Sequence, residues 1–423
     1  MYATSLKPLP PSERELDALP TELQFLPSLS VTERSLLSHF THEASRVTCC
    51  HANVQRELCQ LVIPMAAEVP SLMYATLAWA AIHSMAFNRK VDVVSDPSRL
   101  IASLKVKSIE HLRLELQDPE EWKRDALLAA VRTLCQCEIH SGSGEDSAWR
   151  VHVKGARALM TAIKRSNSSG CSRSRLLCRW YASLESLAAL TPSSHSLGMG
   201  SNEALSEEVP ESVYLDDYNG YSTDLSLVLG RIGAAAELHN RINSLSSSTD
   251  LKTHADELEK AVHHIMERDN NTTPVFYPGV AEKLSQHDIL EYSLCNQAYQ
   301  HTALIHIQRR IRRYPSNTPA IQQSVKSIIE YVKAITPSYG LSPAIVLTTP
   351  LFTAGCEALG EDRNAIRGLL GRLFEMLKIR NITLALEVLE NHWADDTGKR
   401  DWESLLRMYH IFLKTFAAKL IFY

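Results

Sequence analysis

Ile321, Val325, Ile328, Ile329, Val332 and Ile335 recur at i, i+4, i+7, i+8, i+11 and i+14. Only an α-helix returns those positions to one face, because 3.6 residues complete its turn. The same period runs through Ile101, Leu104, Val106, Ile109 and Leu112, and again through Ile366, Leu369, Leu370, Leu373, Phe374 and Leu377. No stretch alternates apolar and polar residues over a useful length, as a half-buried strand would. The 16 glycines and 18 prolines of the 423 residues fall mainly between the periodic segments, which argues against a many-turned β fold. The expected fold class is therefore all-α.

A chain of 423 residues exceeds the usual size of one compact core, so one large helical domain or two fused lobes are both open. A hydrophobic share of 45% with 22% charged residues is that of a well-packed globule. The net charge of −4 leaves no overall basic field to attract nucleic acid. Nine cysteines make an odd count, and Met1 to Pro11 carries no apolar leader. A reduced intracellular compartment is expected, and the sequons at Asn167, Asn271 and Asn381 then carry no weight. Val69 to Asn88 lacks charged residues and is long enough to span a bilayer. Pro70, Ser71, Thr76, His83, Ser84 and its crowded alanines mark it instead as a tightly packed buried helix. The run from Ile411 to Tyr423 is too short to span and is broken by Lys414 and Lys419. No membrane partner is expected.

Residues 1–29 form a proline-dotted, irregular N-terminal segment. Ser30 and Glu33 stand in capping-box positions and open the first helix. One helical domain is expected over 30–423, interrupted at 191–224 by an acidic Ser/Gly-rich loop. In that loop Glu203, Glu207, Glu208, Glu211, Asp216, Asp217 and Asp224 are unopposed by any Lys or Arg and interleave with apolar residues. Such mixing suits a transcriptional activation segment or a solvated insertion between helices.

Candidate chemistry is thin. Cys49 and Cys50 are adjacent, and Cys135-x-Cys137 is one residue short of a zinc-ligand pair. Cys171 and Cys178 lie among Arg173, Arg175 and Arg179 but lack a Cys-x2-Cys partner, and read as packing thiols. His152 reads as a histidine wedged between helices, since no Asp, Ser or Cys at a suitable spacing completes a catalytic set. No catalytic residue, metal ligand or cofactor site is therefore expected, and the chain is not expected to be an enzyme. Arg309, Arg310, Arg312 and Arg313 could serve as a nuclear-import signal or a phosphate contact. They also suit a helix C-terminus, where the dipole favours positive charge and Pro315 stops the helix.

Three regions together resemble one known family. The first runs from Pro350 to Ala358 (Pro-Leu-Phe-Thr-Ala-Gly-Cys-Glu-Ala), followed by Asp362-Arg363 and by Arg380-Asn381 through to Trp393. The second, Trp149 to Leu159, sets a Trp, a His and a Gly-Ala pair before a leucine. The third is Asn219-Gly220-Tyr221-Ser222-Thr223-Asp224-Leu225, a Gly-aromatic-Ser/Thr turn that opens a helix. Taken in their order along the chain they resemble the fungal-specific transcription factor domain, the regulatory region that accompanies a binuclear zinc-cluster DNA-binding domain. The resemblance implies a large regulatory domain of stacked antiparallel helices and a transcription regulator acting in the nucleus, with shuttling to the cytoplasm open. It also implies a small apolar effector, transcriptional co-regulators and a homo- or heterodimer.

Gly355 costs its helix about 1 kcal/mol relative to alanine. Either another helix crosses closely there, or an apolar effector sits near Phe352, Gly355 and Cys356, enclosed by the C-terminal helices. The zinc cluster and basic linker of the family are absent from this chain. Zinc and DNA then enter only through an upstream cluster in the same protein, or DNA through a partner. A second function class stays open: a helical ligand-binding or scaffold protein with no DNA-binding activity of its own.

Overall fold

The structure, a computed structural model, describes residues 29–88, 96–117, 123–141, 155–156, 159, 175–190, 212–242, 248–336 and 338–395. Among them the regular elements are helices, with a single isolated bridge between Leu215 and Ser222. The all-α expectation holds. No helix among the described residues is long and apolar enough to cross a membrane.

The chain opens with α1 (Val31–His39), α2 (Ala52–Glu68), α3 (Pro70–Ala86), α4 (Pro97–Glu115) and α5 (Arg124–Ser141). Ser30 caps α1 as the sequence suggests: its hydroxyl accepts from the Glu33 N–H at 3.2 Å, and Glu33 accepts from the Ser30 N–H at 2.8 Å. The charge-free run becomes α3, buried on all sides from Ser71 to Ser84 except at Tyr74. It packs on α4 and α5 and forms the centre of the N-terminal lobe. Trp79 is fully buried there, edge-on to Phe40 at 5.5 Å and to His140 at 5.7 Å.

A bridging helix, α6 (Arg175–Ala189), contributes Leu176, Leu177 and Trp180 to the N-terminal core. It then pairs with α7 (Thr223–Ile242), whose Leu225, Leu229 and Ile232 belong to the C-terminal core. That second lobe continues with α8 (Ser248–Asn271), α9 (Gln286–His306), α10 (Pro319–Ala334), α11 (Thr348–Glu357), α12 (Glu361–Leu377) and α13 (Arg380–Trp393). The α10 stripe faces inward as its spacing predicts, from Ile321 to Ile335. At its end α9 widens into a π-turn over Ile307–Ile311, which carries two of the four clustered arginines.

Two of these core histidines make the fold acid-sensitive. Burial, reinforced by Arg132, pulls His140 down to about 4, and burial with nearby His263 does the same for His301. An unfolded histidine takes up a proton near 6.5, so between 6.5 and 4 the unfolded chain binds more protons than the folded one. Stability is therefore expected to be level above pH 7 and to fall as pH drops through that window, by about 3 kcal/mol per histidine. Urea midpoints at pH 7.5, 6.5, 5.5 and 4.5 check this. Equal midpoints at 7.5 and 4.5 would contradict it.

Candidate functional site

The two lobes meet on the turn at 212–223. Asp216 is its organiser. Its Oδ1 accepts from the backbone N–H of Tyr218 at 2.8 Å and of Asn219 at 3.0 Å, and the Gly220 N–H closes on the Asp216 carbonyl at 2.8 Å. This is the local bonding that short acidic side chains supply in turns. Gly220 has φ 78°, and a Cβ there would lie 2.8 Å from Cys295 Sγ, so both conformation and space require glycine.

Four helices and the segment before α2 are tied to this turn. Arg179 of α6 donates through Nε to Asp216 at 2.9 Å and through Nη2 to Asp216 at 2.5 Å and to Asp217. Burial would lower the pKa of Arg179, but Asp216 and then Asp217 outweigh it and hold the guanidinium above its ordinary range. Arg132 of α5 donates to the Tyr218 hydroxyl at 2.8 Å. Cys50 donates to the Tyr218 carbonyl, and Tyr292 of α9 to the Asp217 carbonyl at 2.7 Å. Arg268 of α8 pairs with Asp224 at the start of α7. The acidic residues of 212–224 are thus internal: Asp216, Asp217 and Asp224 are buried and opposed by arginines. This corrects the expectation of an unopposed, solvated loop for that half; 191–211 lies outside the described residues.

Beside the turn lies a cleft of about 380 Å³, walled by Arg179, Tyr214, Asp216, Tyr221, Ser226 and Tyr277 among others. Tyr214 and Tyr277 stack at 4.5 Å, and the Arg179 guanidinium lies 4.7 Å from the Tyr277 ring centre. Ser222 lines this cleft and a smaller one of about 90 Å³, and its buried hydroxyl has no hydrogen-bond partner among the described residues. Tyr221 is held neutral, its pKa raised by burial. The cleft is therefore an aromatic wall with neutral hydroxyls and a saturated ion pair, within the size range of small-molecule sites.

A second seam joins the lobes elsewhere. The Leu341 N–H donates to the Arg46 carbonyl at 3.2 Å, and a Cβ on Gly340 would lie 2.4 Å from that oxygen. Tyr339 bonds His83 at 3.2 Å and donates to Glu43 at 3.3 Å, while His83 bonds His39 at 2.9 Å.

The C-terminal motif has a structural role that the distances explain. A helix leaves its last carbonyls unbonded, and here the partners are side chains. Trp393 donates to the Gly355 carbonyl at 2.9 Å, His392 bonds the Cys356 carbonyl at 3.0 Å, and Arg363 donates to Ala358 at 2.9 Å. Leu389 of α13 fills the space over Gly355: a Cβ there would lie 2.5 Å from its Cδ1 and 3.3 Å from Ile366. Phe352 and Cys356 are buried in the same core. The structure thus shows Gly355 at a close helix crossing, and the larger cleft described above lies at the turn of 212–223.

Three of the four clustered arginines are engaged inside the fold. Arg309 pairs with the buried Glu357 at 2.9 Å, Arg310 donates to the Leu190 carbonyl at 2.7 Å, and Arg312 grips Asp256 and Glu259. Arg313 is exposed with φ 58°. Most of the Trp149–Leu159 motif, His152 included, lies outside the described residues. No group of three or more His, Cys, Asp or Glu among the described residues could hold a metal ion. Arg179, Asp216 and Tyr218 escaped sequence reading as a site, because their partners are 37 and 86 residues away.

A family model described as "Fungal specific transcription factor domain" matches residues 35–413. No curated protein and no solved structure matches the chain.

Proposed function

The chain belongs to the fungal-specific transcription factor domain family, and from that membership we propose that it is the regulatory domain of a zinc-cluster transcription regulator. The match over 35–413 is the single observation that carries this reading. The family is one of regulators and not of enzymes, and its setting is nuclear. In this reading the domain senses a small effector in the cleft beside Tyr214 and Tyr277, and the turn of 212–223 passes its occupancy to the opposite lobe. DNA contact comes from a zinc cluster outside this chain or from a partner. The net charge of −4 and the internal engagement of Arg309, Arg310 and Arg312 support that division of labour. Co-regulators and a second protomer are the remaining partners.

The test joins residues 29–423 to an unrelated DNA-binding domain of known operator in a reporter strain. Reporter output is expected to differ at least several-fold from that of the DNA-binding domain alone. Equal output, with the fusion present in the nucleus at the same level, would overturn the reading.

A further inference from the structure

Helix α5 carries a buried cation with no ion-pair partner among the described residues. Arg132 is 1% exposed. Its Nη2 donates to the Tyr218 hydroxyl at 2.8 Å, and its guanidinium carbon lies 5.9 Å from the centre of that ring. Nε and Nη1 are buried and have no hydrogen-bond partner among the described residues. Glu138, the buried acid on the same helix, is taken by Lys105 at 2.5 Å. Arg179, at the same lobe boundary, is the contrast: two aspartates hold it.

An arginine cannot shed its proton in a protein. A buried charge left without a partner is among the least favourable arrangements a core can hold. Among the groups whose titration Arg132 affects are Tyr218, Cys49, Cys59, Cys135 and His140. Burial raises the pKa of the three thiols and the phenol and lowers that of His140, so all five are neutral near pH 7. None supplies negative charge, and no described carboxylate bonds the two remaining N–H groups.

We propose that Arg132 is an anion site, which binds a small monovalent anion of halide or carboxylate size through the N–H groups that the described residues leave unbonded. One positive charge asks for one negative, and a position 1% exposed in the middle of a buried helix admits only a small partner. The Tyr218 hydroxyl, delivered by the turn between the lobes, flanks the site. The bound anion therefore stabilises the lobe boundary. This site is independent of the effector cleft and of the regulatory reading.

The test uses the whole chain in a buffer whose only anion is bulky gluconate, at constant ionic strength, titrated with sodium bromide or sodium formate. The wild-type unfolding temperature is expected to rise and saturate, as mass action on a single site requires. Arg132→Met is expected to show no such rise. In gluconate alone it should unfold at a higher temperature than the wild type, because it carries no bare charge. A wild type indifferent to both anions, or a variant that responds equally, would overturn the site and leave water as the partner of Arg132. Should the variant not fold, anomalous scattering from wild-type crystals grown in bromide decides. A peak within hydrogen-bonding distance of Arg132 supports the site, and an empty position overturns it.

Discussion

Replacing Asp216 by alanine is expected to cost about 3–5 kcal/mol, enough to unfold much of a marginally stable protein. The change leaves Arg179 buried with Asp217 alone and removes the acceptor of two backbone N–H groups, those of Tyr218 and Asn219. Asp216→Asn should fall between, because the amide oxygen still accepts from the turn while the charge is lost. The double change Arg179→Met with Asp216→Leu should cost less than the sum of its parts, since the Arg179–Asp216 attraction is lost in both single changes, though Asp217 is left buried without its arginine. The turn is shared, so the loss should reach both lobes. Urea unfolding followed by circular dichroism measures it. An alanine variant within about 1 kcal/mol of the wild type would mean that the pair contributes little.

The second large effect is a contrast within one helix. Gly233→Ala in α7 is expected to cost about 3 kcal/mol or more, whereas Gly230→Ala, one turn earlier, should stabilise by up to about 1 kcal/mol. A Cβ at Gly233 would lie 2.2 Å from the Ala189 carbonyl oxygen and 2.5 Å from its carbon, on the backbone of α6. Backbone cannot swing aside as a side-chain end can, so α6 and α7 must separate. At Gly230 nothing lies within 4 Å, and only the helix propensity of alanine acts. Thermal unfolding of the two variants side by side decides. If both shift the same way, the close crossing of α6 and α7 is not tight.

The helical architecture was legible because burial and period coincide. The α10 stripe, the capping box at Ser30 and the charge-free α3 each carry a local signal, and each lies as the sequence suggests. The family was legible too, from three short regions in order, two of which the structure describes. What periodicity could not reveal is pairing across distance. Asp216 and Asp217 look like two more acids in an acidic stretch, and Arg179 like one more arginine beside Cys178. Only the fold brings them together. Gly355 posed the converse problem: its cost was visible, yet Leu389, which fills its space, stands 34 residues later and reads as an ordinary apolar position.

The second seam also sets the order in which the molecule can be completed. Arg46 waits for Gly340 and Leu341, and His83 waits for Tyr339, 256 residues further on. The core around Trp79 can collapse while synthesis continues, but its flank stays open until most of the chain has left the ribosome. Contacts of such span are slow to close, because loop entropy is spent before they form. A nascent N-terminal lobe thus holds an unfinished face for the length of α6 through α10, the interval in which larger proteins are most exposed to misassembly.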